Sequence, residues 1–191
     1  MKQKVFILGA GGVGREIAAV LQYTSLKNDF DVAGFIDDGL QANTLINGIQ
    51  VAGGLDYLLK LENANVIIAL GNPKIRKEII EKLSGKNFNY PVIIHPNVSF
   101  HNPSRISIGK GTFITEGCII TTDVSIGDFC FLNLGVTINH DAVIENNCVL
   151  MPGVRICCGI NLGTNSFVSA NCVLSKAISI PSESWITESI Q

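Results

Sequence analysis

The second half of the sequence repeats a large aliphatic residue every six positions, and this period restricts the possible folds more than any other feature. An α-helix turns about 600° in six residues, so the repeated side chains would not share a face. The repeat therefore requires a chain that bends after each short strand. All fourteen positions from residue 108 to residue 186 follow the rule: Ile108, Ile114, Ile120, Ile126, Leu132, Ile138, Ile144, Leu150, Ile156, Leu162, Val168, Leu174, Ile180 and Ile186.

A second series lies four residues after each large residue and holds mostly small or β-branched side chains, while Gly and Asn occupy nearly every intervening turn. Three short strands in a coil of eighteen residues satisfy both series. The sequence therefore predicts a parallel β-helix of hexapeptide repeats, with stacked aliphatic side chains inside. Ile94 and Phe100, with Ile106 two residues out of phase, predict an irregular first coil.

Four of the six cysteines fall in the small series, which predicts that they are buried inside the β-helix: Cys118, Cys130, Cys148 and Cys172. Buried free cysteine behaves as a small apolar residue. This placement disfavours a disulfide framework or a metal site, and no metal is expected. Cys157 and Cys158 are adjacent and have no such assignment. A thiol nucleophile at either position would need a base, and none adjoins them in sequence.

The first half alternates strands with helices, which predicts a small parallel α/β sheet of the Rossmann-like type. We place the domains at residues 1–92 and 93–191. The expected strands are Val5–Leu8, Asp31–Ile36 and Val66–Leu70, and the expected helices begin or lie at Arg15–Gln22, Asp56–Leu61 and Lys74–Ser84.

A glycine loop at residues 9–14 fits the pattern G-x-G-x-x-G between the first strand and the first helix. Such a loop lets a phosphate approach backbone N–H groups at a helix N-terminus. The alternative is a tight strand–helix turn without a ligand. Asp37 and Asp38 follow the second strand, where they could accept hydroxyls of a ribose or sugar. Fewer than 95 residues are too few for a full dinucleotide fold, so a mononucleotide or nucleotide-sugar is favoured.

Charge and hydropathy exclude several classes of protein. The net charge is −2 and the basic residues are scattered, so binding to nucleic acid is not expected. Although 47% of the residues are apolar, no run approaches the roughly 18 apolar residues of a membrane span. The N-terminal apolar run leads into the glycine loop and favours a first strand over a signal peptide. We expect a cytoplasmic protein.

His140 is the strongest candidate for a catalytic side chain. It lies two residues after interior Ile138 and so projects outward at a turn, and Asp141 follows it. A neutral imidazole can accept a proton from an amine or hydroxyl, and a carboxylate can orient it. The alternative is a surface His-Asp pair without a function. His95 and His101 are expected to be structural or solvent-facing.

Several motifs together resemble the sialic acid O-acetyltransferase type of sugar acetyltransferase, which includes the bacterial UDP-4-amino-sugar N-acetyltransferases. They are G-A-G-G at 9–12, I-D-D at 36–38, L-G-N-P at 70–73, I-H-P-N at 94–97, I-N-H-D-A-V-I at 138–144 and M-P-G-V at 151–154. The resemblance covers nearly the whole chain. It implies a left-handed β-helix, a homotrimer with active sites between subunits, acetyl-CoA in the groove between neighbouring β-helices, and a role in surface polysaccharide or glycan biosynthesis.

The resemblance also implies roles for individual residues. His140 is the general base and Asp141 supports it, in a direct transfer to an acceptor bound by the neighbouring subunit's glycine loop. The acceptor contacts are Gly11, Gly12, Val13, Asp37, Asp38 and Gly71, and the cofactor contacts are Val149, Cys158 and Ala170. The backbone N–H of Cys158 would hold the oxyanion. This chain departs from its relatives at Val13, where many have His, and at Cys158, where they have Gly.

The leading hypothesis is acetyl-CoA-dependent transfer to the amino group of a nucleotide-linked sugar. A second hypothesis is O-acetylation of a sialic-acid-like sugar, since His140 can serve an amine or a hydroxyl. A catalytically silent β-helix that binds nucleotide-sugars is a third. An NAD-dependent oxidoreductase is disfavoured by the short first half.

Overall fold

The computed structural model describes residues 2–175 and 177–190. The chain forms two compact units, Met1–Gly71 with Glu78–Pro91, and Asn72–Lys77 with Val92–Gln191. The predicted boundary between residues 92 and 93 stays a prediction. The structure adds that the short segment 72–77 groups with the second unit.

The first unit is built around a six-stranded sheet in the order β3-β4-β2-β1-β5-β6. All neighbouring pairs are parallel except β3 and β4. The strands are β1 Gln3–Leu8, β2 Phe30–Ile36, β3 Leu45–Ile46, β4 Ile49–Gly53, β5 Asn63–Ile68 and β6 Asn87–Asn89; the helices are α1 Gly12–Tyr23, α2 Leu55–Leu59 and α3 Pro73–Leu83, with a 3-10 helix at Ser25–Asn28.

The antiparallel pair at the edge of this sheet was not predicted. Asn47 and Gly48 join β3 to β4, and both have positive φ, 50° and 81°. An Asn-Gly pair with this conformation makes the two-residue turn that suits a β-hairpin. The signal was therefore present in the sequence. The parallel strands β1 and β2, by contrast, lie where their apolar runs predicted them, whereas β5 begins three residues before the predicted Val66–Leu70 and ends two residues earlier.

The second unit is a β-helix of three parallel sheets. Their strand orders are β22-β19-β16-β13-β10-β7, β20-β17-β14-β11-β8 and β21-β18-β15-β12-β9. The bounds are β7 Ile93–Ile94, β8 Ser99–Phe100, β9 Ile106–Ile108, β10 Phe113–Ile114, β11 Ile119–Ile120, β12 Val124–Ile126, β13 Phe131–Leu132, β14 Thr137–Ile138, β15 Val143–Ile144, β16 Val149–Leu150, β17 Arg155–Ile156, β18 Asn161–Leu162, β19 Phe167–Val168, β20 Val173–Leu174, β21 Ser179–Ile180 and β22 Trp185–Ile186.

The six-residue series forms the interior of this unit, as predicted. Its members from Ile114 to Ile186 are all buried and form one apolar cluster, against which half-buried Ile108 packs. The prediction for the four cysteines of the small series is also confirmed, because Cys118, Cys130, Cys148 and Cys172 are buried in the same cluster.

The first coil is irregular, as the phase slip predicted. β7 pairs with β10 through Ile93 and Phe113, so this coil is two residues longer than the others. A short 3-10 helix at Pro103–Arg105 precedes β9, and from β9 onward the pairing has the regular spacing of Ile108 with Ile126.

Most corners of the β-helix contain one residue in the left-handed region, which explains their Gly and Asn content. Asp123, Asp141 and Gly159 occupy the same corner of three successive coils, with φ of 54°, 61° and 69°. The second residue of each of these three turns therefore has the same backbone conformation. Because the turns are stacked, side chains at equivalent positions become neighbours in adjacent coils.

Arg76 lies buried within the second unit at 2% exposure. Its Nε donates to Oδ1 of Asn147 at 3.0 Å, and its guanidinium also donates to the carbonyl of Phe129. Asn147 in turn donates to the carbonyl of Pro73 at 2.8 Å. Burial lowers the pKa of Arg76 to about 10, which leaves the side chain charged near neutral pH. These contacts fasten segment 72–77 to the β-helix.

Candidate active site

His140 and Asp141 form the corner between β14 and β15. Nδ1 of His140 lies 2.8 Å from Oδ2 of Asp141, and the two side chains are 56% and 68% exposed. Ionised Asp141 can only accept, so Nδ1 is the protonated nitrogen of a neutral imidazole in this arrangement. Nε2 has no hydrogen-bond partner among the described residues. The pair therefore presents a basic nitrogen to solvent, with its tautomer fixed by the carboxylate.

A second carboxylate lies one coil earlier at the same corner. Asp123 accepts a hydrogen bond from Nε of Arg105 at 2.6 Å and one from Thr122 at 3.0 Å. The pKa of Asp123 is lowered, first by the hydrogen bond from Arg105, then by Thr122, with His140 contributing to the same direction. Asp123 is therefore ionised near neutral pH and within electrostatic reach of His140.

Sequence reasoning missed both Asp123 and Arg105. The available signal was the eighteen-residue spacing, because residues one coil apart in a regular β-helix become neighbours. Asp123 precedes Asp141 by one coil, and Arg105 precedes Asp123 by another. A search limited to residues adjacent in sequence finds only the His140–Asp141 pair.

The three predicted cofactor contacts lie in different surroundings. Cys158 is exposed at the corner after β17, and Ala170 is exposed at the corner after β19. Val149 is fully buried at 0% exposure in β16, and the cofactor contact predicted for it stays a prediction. The backbone N–H of Cys158 has no acceptor among the described residues.

The glycine loop of the first unit contains two kinds of glycine. Gly9 has φ of 104°, and a Cβ there would lie 2.9 Å from the carbonyl oxygen of Ala69. A Cβ at Gly14 would lie 3.0 Å from the carbonyl carbon of Gly9 and closer still to its oxygen. Gly9 is therefore required by its positive φ and its close approach to the backbone after β5, and Gly14 by the packing of α1 against the loop. A Cβ at Gly11 or Gly12 would meet nothing within 4 Å.

The two predicted acidic residues follow β2, and both already accept backbone hydrogen bonds. Asp37 accepts from the N–H of Ala10 and of Gly39, each at 2.9 Å. Asp38 accepts from the N–H of Leu55 at 2.6 Å, at the start of α2. A carboxylate has about four lone-pair sites, so both keep capacity for a ligand hydroxyl. Their first role is to hold the loops at this edge of the sheet.

The remaining predicted acceptor contacts, Val13 and Gly71, lie close to each other. A Cβ at Gly71 would be 3.8 Å from Cγ2 of Val13. Backbone hydrogen bonds align the ends of the three strands that carry these loops. The N–H of Gly9 donates to the carbonyl of Ile36 at 2.8 Å, and the N–H of Ala69 donates to the carbonyl of Leu8 at 2.8 Å. The structure therefore brings the six predicted acceptor residues to the carboxyl edge of one sheet, where open α/β sheets bind ligands.

Neither a metal site nor a membrane span is found in the described part of the chain. No group of three or more His, Cys, Asp or Glu side chains there could hold a metal ion. No helix of residues 2–175 and 177–190 is long and apolar enough to cross a membrane.

Two family models match the sequence. Residues 4–83 match the PglD N-terminal domain, and residues 141–176 match the bacterial transferase hexapeptide of six repeats. The sequence has no significant match among curated proteins.

Several solved structures share the fold. The acetyltransferase domain of PglB from Neisseria gonorrhoeae FA1090, in complex with acetyl coenzyme A, is 25% identical with a TM-score of 0.82, covering 95% of this chain and 86% of that one. A mutant of perosamine N-acetyltransferase from Caulobacter crescentus, with CoA and GDP-perosamine, is 21% identical with a TM-score of 0.83, covering 98% and 90%. WeeI from Acinetobacter baumannii AYE is 23% identical with a TM-score of 0.68, covering 99% and 93%.

These matches identify the class of protein as an acyltransferase built from a Rossmann-like α/β domain and a left-handed parallel β-helix of hexapeptide repeats. Within that class, the chain resembles the hexapeptide-repeat sugar acetyltransferases, since its first part matches the PglD N-terminal domain and its second part the hexapeptide transferases. The predicted fold class and enzyme class are confirmed, and the comparisons agree with the predicted resemblance.

Proposed function

We propose that this chain transfers the acetyl group of acetyl-CoA to the amino group of a nucleotide-linked amino sugar. The observation that carries the proposal is the His140–Asp141 pair, whose 2.8 Å contact leaves Nε2 of the imidazole free at an exposed corner of a hexapeptide-repeat β-helix. The relatives support the choice of substrates, since the PglB domain was solved with acetyl coenzyme A and the perosamine N-acetyltransferase with CoA and GDP-perosamine.

The proposed reaction is a direct attack of the acceptor amine on the thioester carbonyl. Nε2 of His140 removes a proton from the amine, and Asp141 stabilises the imidazolium that forms. The N–H of Cys158, which has no acceptor among the described residues, would hold the oxyanion of the tetrahedral intermediate. When the intermediate collapses, the imidazolium returns its proton to the departing CoA thiolate. Cys158 and Ala170 are the exposed residues that we assign to the cofactor.

The glycine loop is proposed to bind the nucleotide part of the acceptor. Gly11 and Gly12 need no glycine for packing, because a Cβ would have open space around it. Gly11 is also the N-cap residue of α1, whose first N–H groups suit a phosphate. Asp37 and Asp38 would accept ligand hydroxyls, with Val13 and Gly71 beside them.

Three further expectations belong to the same proposal. The chain forms a homotrimer, in which one subunit's His140 serves an acceptor bound by the neighbouring subunit. The enzyme acts in the cytoplasm. Its product enters the synthesis of a surface polysaccharide or another glycan.

The test is an acetylation assay with acetyl-CoA and three kinds of acceptor: GDP- or UDP-linked 4-amino sugars, the matching 4-hydroxy sugars, and CMP-sialic acid. Products are separated by chromatography and identified by mass. We expect acetylation of an amino sugar only, in a product that resists hydroxylamine, because an amide does and an ester does not. A hydroxylamine-labile product would show O-acetylation instead. Thermal stabilisation by NADH alone, with no acetylated product, would contradict both.

A further inference from the structure

The exposed thiol of Cys158 lies next to His140 across one turn of the β-helix. Strand β17 pairs with β14 through Arg155 with Thr137 and Ile156 with Ile138, which puts Cys158 level with His140. The N–H of Gly159 donates to the carbonyl of His140 at 3.2 Å and carries this register into the corner. Neighbouring parallel strands are about 4.8 Å apart, so the backbones of the two residues are neighbours in adjacent coils.

The two side chains leave the β-helix in the same direction. Each is the first residue of its corner, and each is followed by a left-handed residue, Asp141 with φ of 61° and Gly159 with φ of 69°. Equivalent corners give parallel Cα–Cβ bonds. Cys158 is exposed, unlike the four thiols buried inside the β-helix.

This arrangement brings together the three residue types that an activated thiol nucleophile uses. Such a nucleophile needs a base within reach and a third group that orients the base. His140 would be the base through Nε2, and Asp141 orients the imidazole through Nδ1 at 2.8 Å. The N–H of Cys158 lies on the nucleophile itself, where the oxyanion donor of many acyl-transfer sites is found. A candidate base, absent beside Cys158 in the sequence, therefore lies one coil earlier at His140.

We propose that Cys158 is a nucleophile that accepts the acetyl group of acetyl-CoA when no sugar acceptor is bound. This inference rests on the proposed function, because it requires the thioester at His140. The thiol proton passes to Nε2 of His140, and Sγ attacks the carbonyl. The bond to the CoA sulfur breaks, and the imidazolium protonates the departing thiolate. The products are an acetyl thioester on Cys158 and free CoA.

The step exchanges one thioester for another, so no oxidant, metal or further reactant is needed and the equilibrium is near unity. Added CoA reverses it. An acceptor amine that arrives later converts the thioester into an amide, with the thiol of Cys158 as the leaving group and His140 again moving the proton. The acetyl group is thus held on the enzyme in a form that remains transferable.

The test follows exchange of isotopically labelled CoA into acetyl-CoA by the full chain, without any acceptor. We expect exchange by the natural chain, together with the mass of one acetyl group on the peptide that contains Cys158. Cys158→Ser, which keeps the backbone N–H, and His140→Ala should lower exchange roughly a hundredfold or more. Cys157→Ser is the matched control one residue away and should exchange normally.

Acetylation of the amino sugar is measured with the same preparations, and circular dichroism checks that each variant folds. A natural chain that acetylates the sugar but shows no exchange would overturn this inference and leave the proposed function standing. Exchange that persists in Cys158→Ser would also overturn it. Failure to acetylate any amino sugar would instead refute the proposed function.

Discussion

Some glycines of the glycine loop are required by packing, and others are proposed to bind the ligand. Alanine substitutions distinguish the two kinds directly. Gly14→Ala puts a Cβ against the carbonyl of Gly9, and overpacking of this kind costs about 1–3 kcal/mol or more. Gly11→Ala and Gly12→Ala place the same methyl in open space. Neither Gly11 nor Gly12 has a positive φ, so alanine should be neutral or stabilise by about 0.4–1 kcal/mol through the unfolded state.

Gly11→Ala and Gly12→Ala, which should not destabilise the fold, are expected to weaken binding of the nucleotide-sugar. If a phosphate lies on the loop, a methyl at Gly11 or Gly12 displaces it from the backbone N–H groups. Loss of one hydrogen bond to a charged group costs about 1.5–3 kcal/mol, which is roughly 10- to 150-fold in affinity at about 1.4 kcal/mol per tenfold. The KM for the nucleotide-sugar should rise by this factor in both variants, and the KM for acetyl-CoA should not change.

Thermal unfolding and steady-state kinetics together show whether each glycine serves packing or ligand binding. A cost of 1 kcal/mol lowers Tm by about 2–4 °C for a chain of this size, so Gly14→Ala should melt several degrees lower than the natural chain. Gly11→Ala and Gly12→Ala should melt at or slightly above it. An unchanged KM for the nucleotide-sugar in both stable variants would refute the assignment of the loop to the acceptor.

Three further predictions concern other side chains. Asp141→Asn should lower kcat about tenfold to a hundredfold with little change in either KM, because the imidazolium loses its partner; unchanged steady-state kinetics would contradict this role. Arg105→Gln should raise the pKa of the Asp123 carboxyl toward its ordinary value of 3.8, measured by NMR titration. Because the pKa of Asp123 is lower in the folded chain than in the unfolded chain, this pair stabilises the fold above the unfolded pKa, and that stability is lost as pH falls through the folded pKa. An unchanged titration of Asp123 in Arg105→Gln would refute the pairing. Arg76→Met should destabilise the second unit by about 1–3 kcal/mol for each buried acceptor left unpaired, measured by denaturant unfolding, and a neutral result would show that water replaces the guanidinium.

The interior of the β-helix could be predicted because its signal is periodic. Each large aliphatic position from Ile114 onward lies where the six-residue rule places it, and the phase slip near Ile106 marks the longer first coil. The burial of Val149 could not be predicted from that rule. The rule says only that Val149 faces outward from the interior, and an outward face can still be covered by other parts of the chain.

The candidate site could be predicted only where its residues adjoin in sequence. His140 and Asp141 form such a pair. Strand register determines which residues of the two adjacent coils lie near His140. Asp123 and Cys158 can therefore be recognised as its neighbours only when the eighteen-residue pairing is known. Arg76 and Asn147 are 71 positions apart, and no local pattern connects them. The roles of the loop glycines could not be predicted either. The sequence alone does not show that packing requires glycine at Gly14 but not at Gly11.

The most direct measurement for the central proposal is the rate of acetyl transfer by His140→Ala at saturating acetyl-CoA and nucleotide-linked amino sugar. The imidazole is exposed at a corner, so its removal should leave the fold and both KM values nearly unchanged. A general base contributes about 10²–10⁴ to the rate, and kcat should fall by that factor. An unchanged kcat in the folded variant would show that His140 is not the base and would contradict the proposed mechanism.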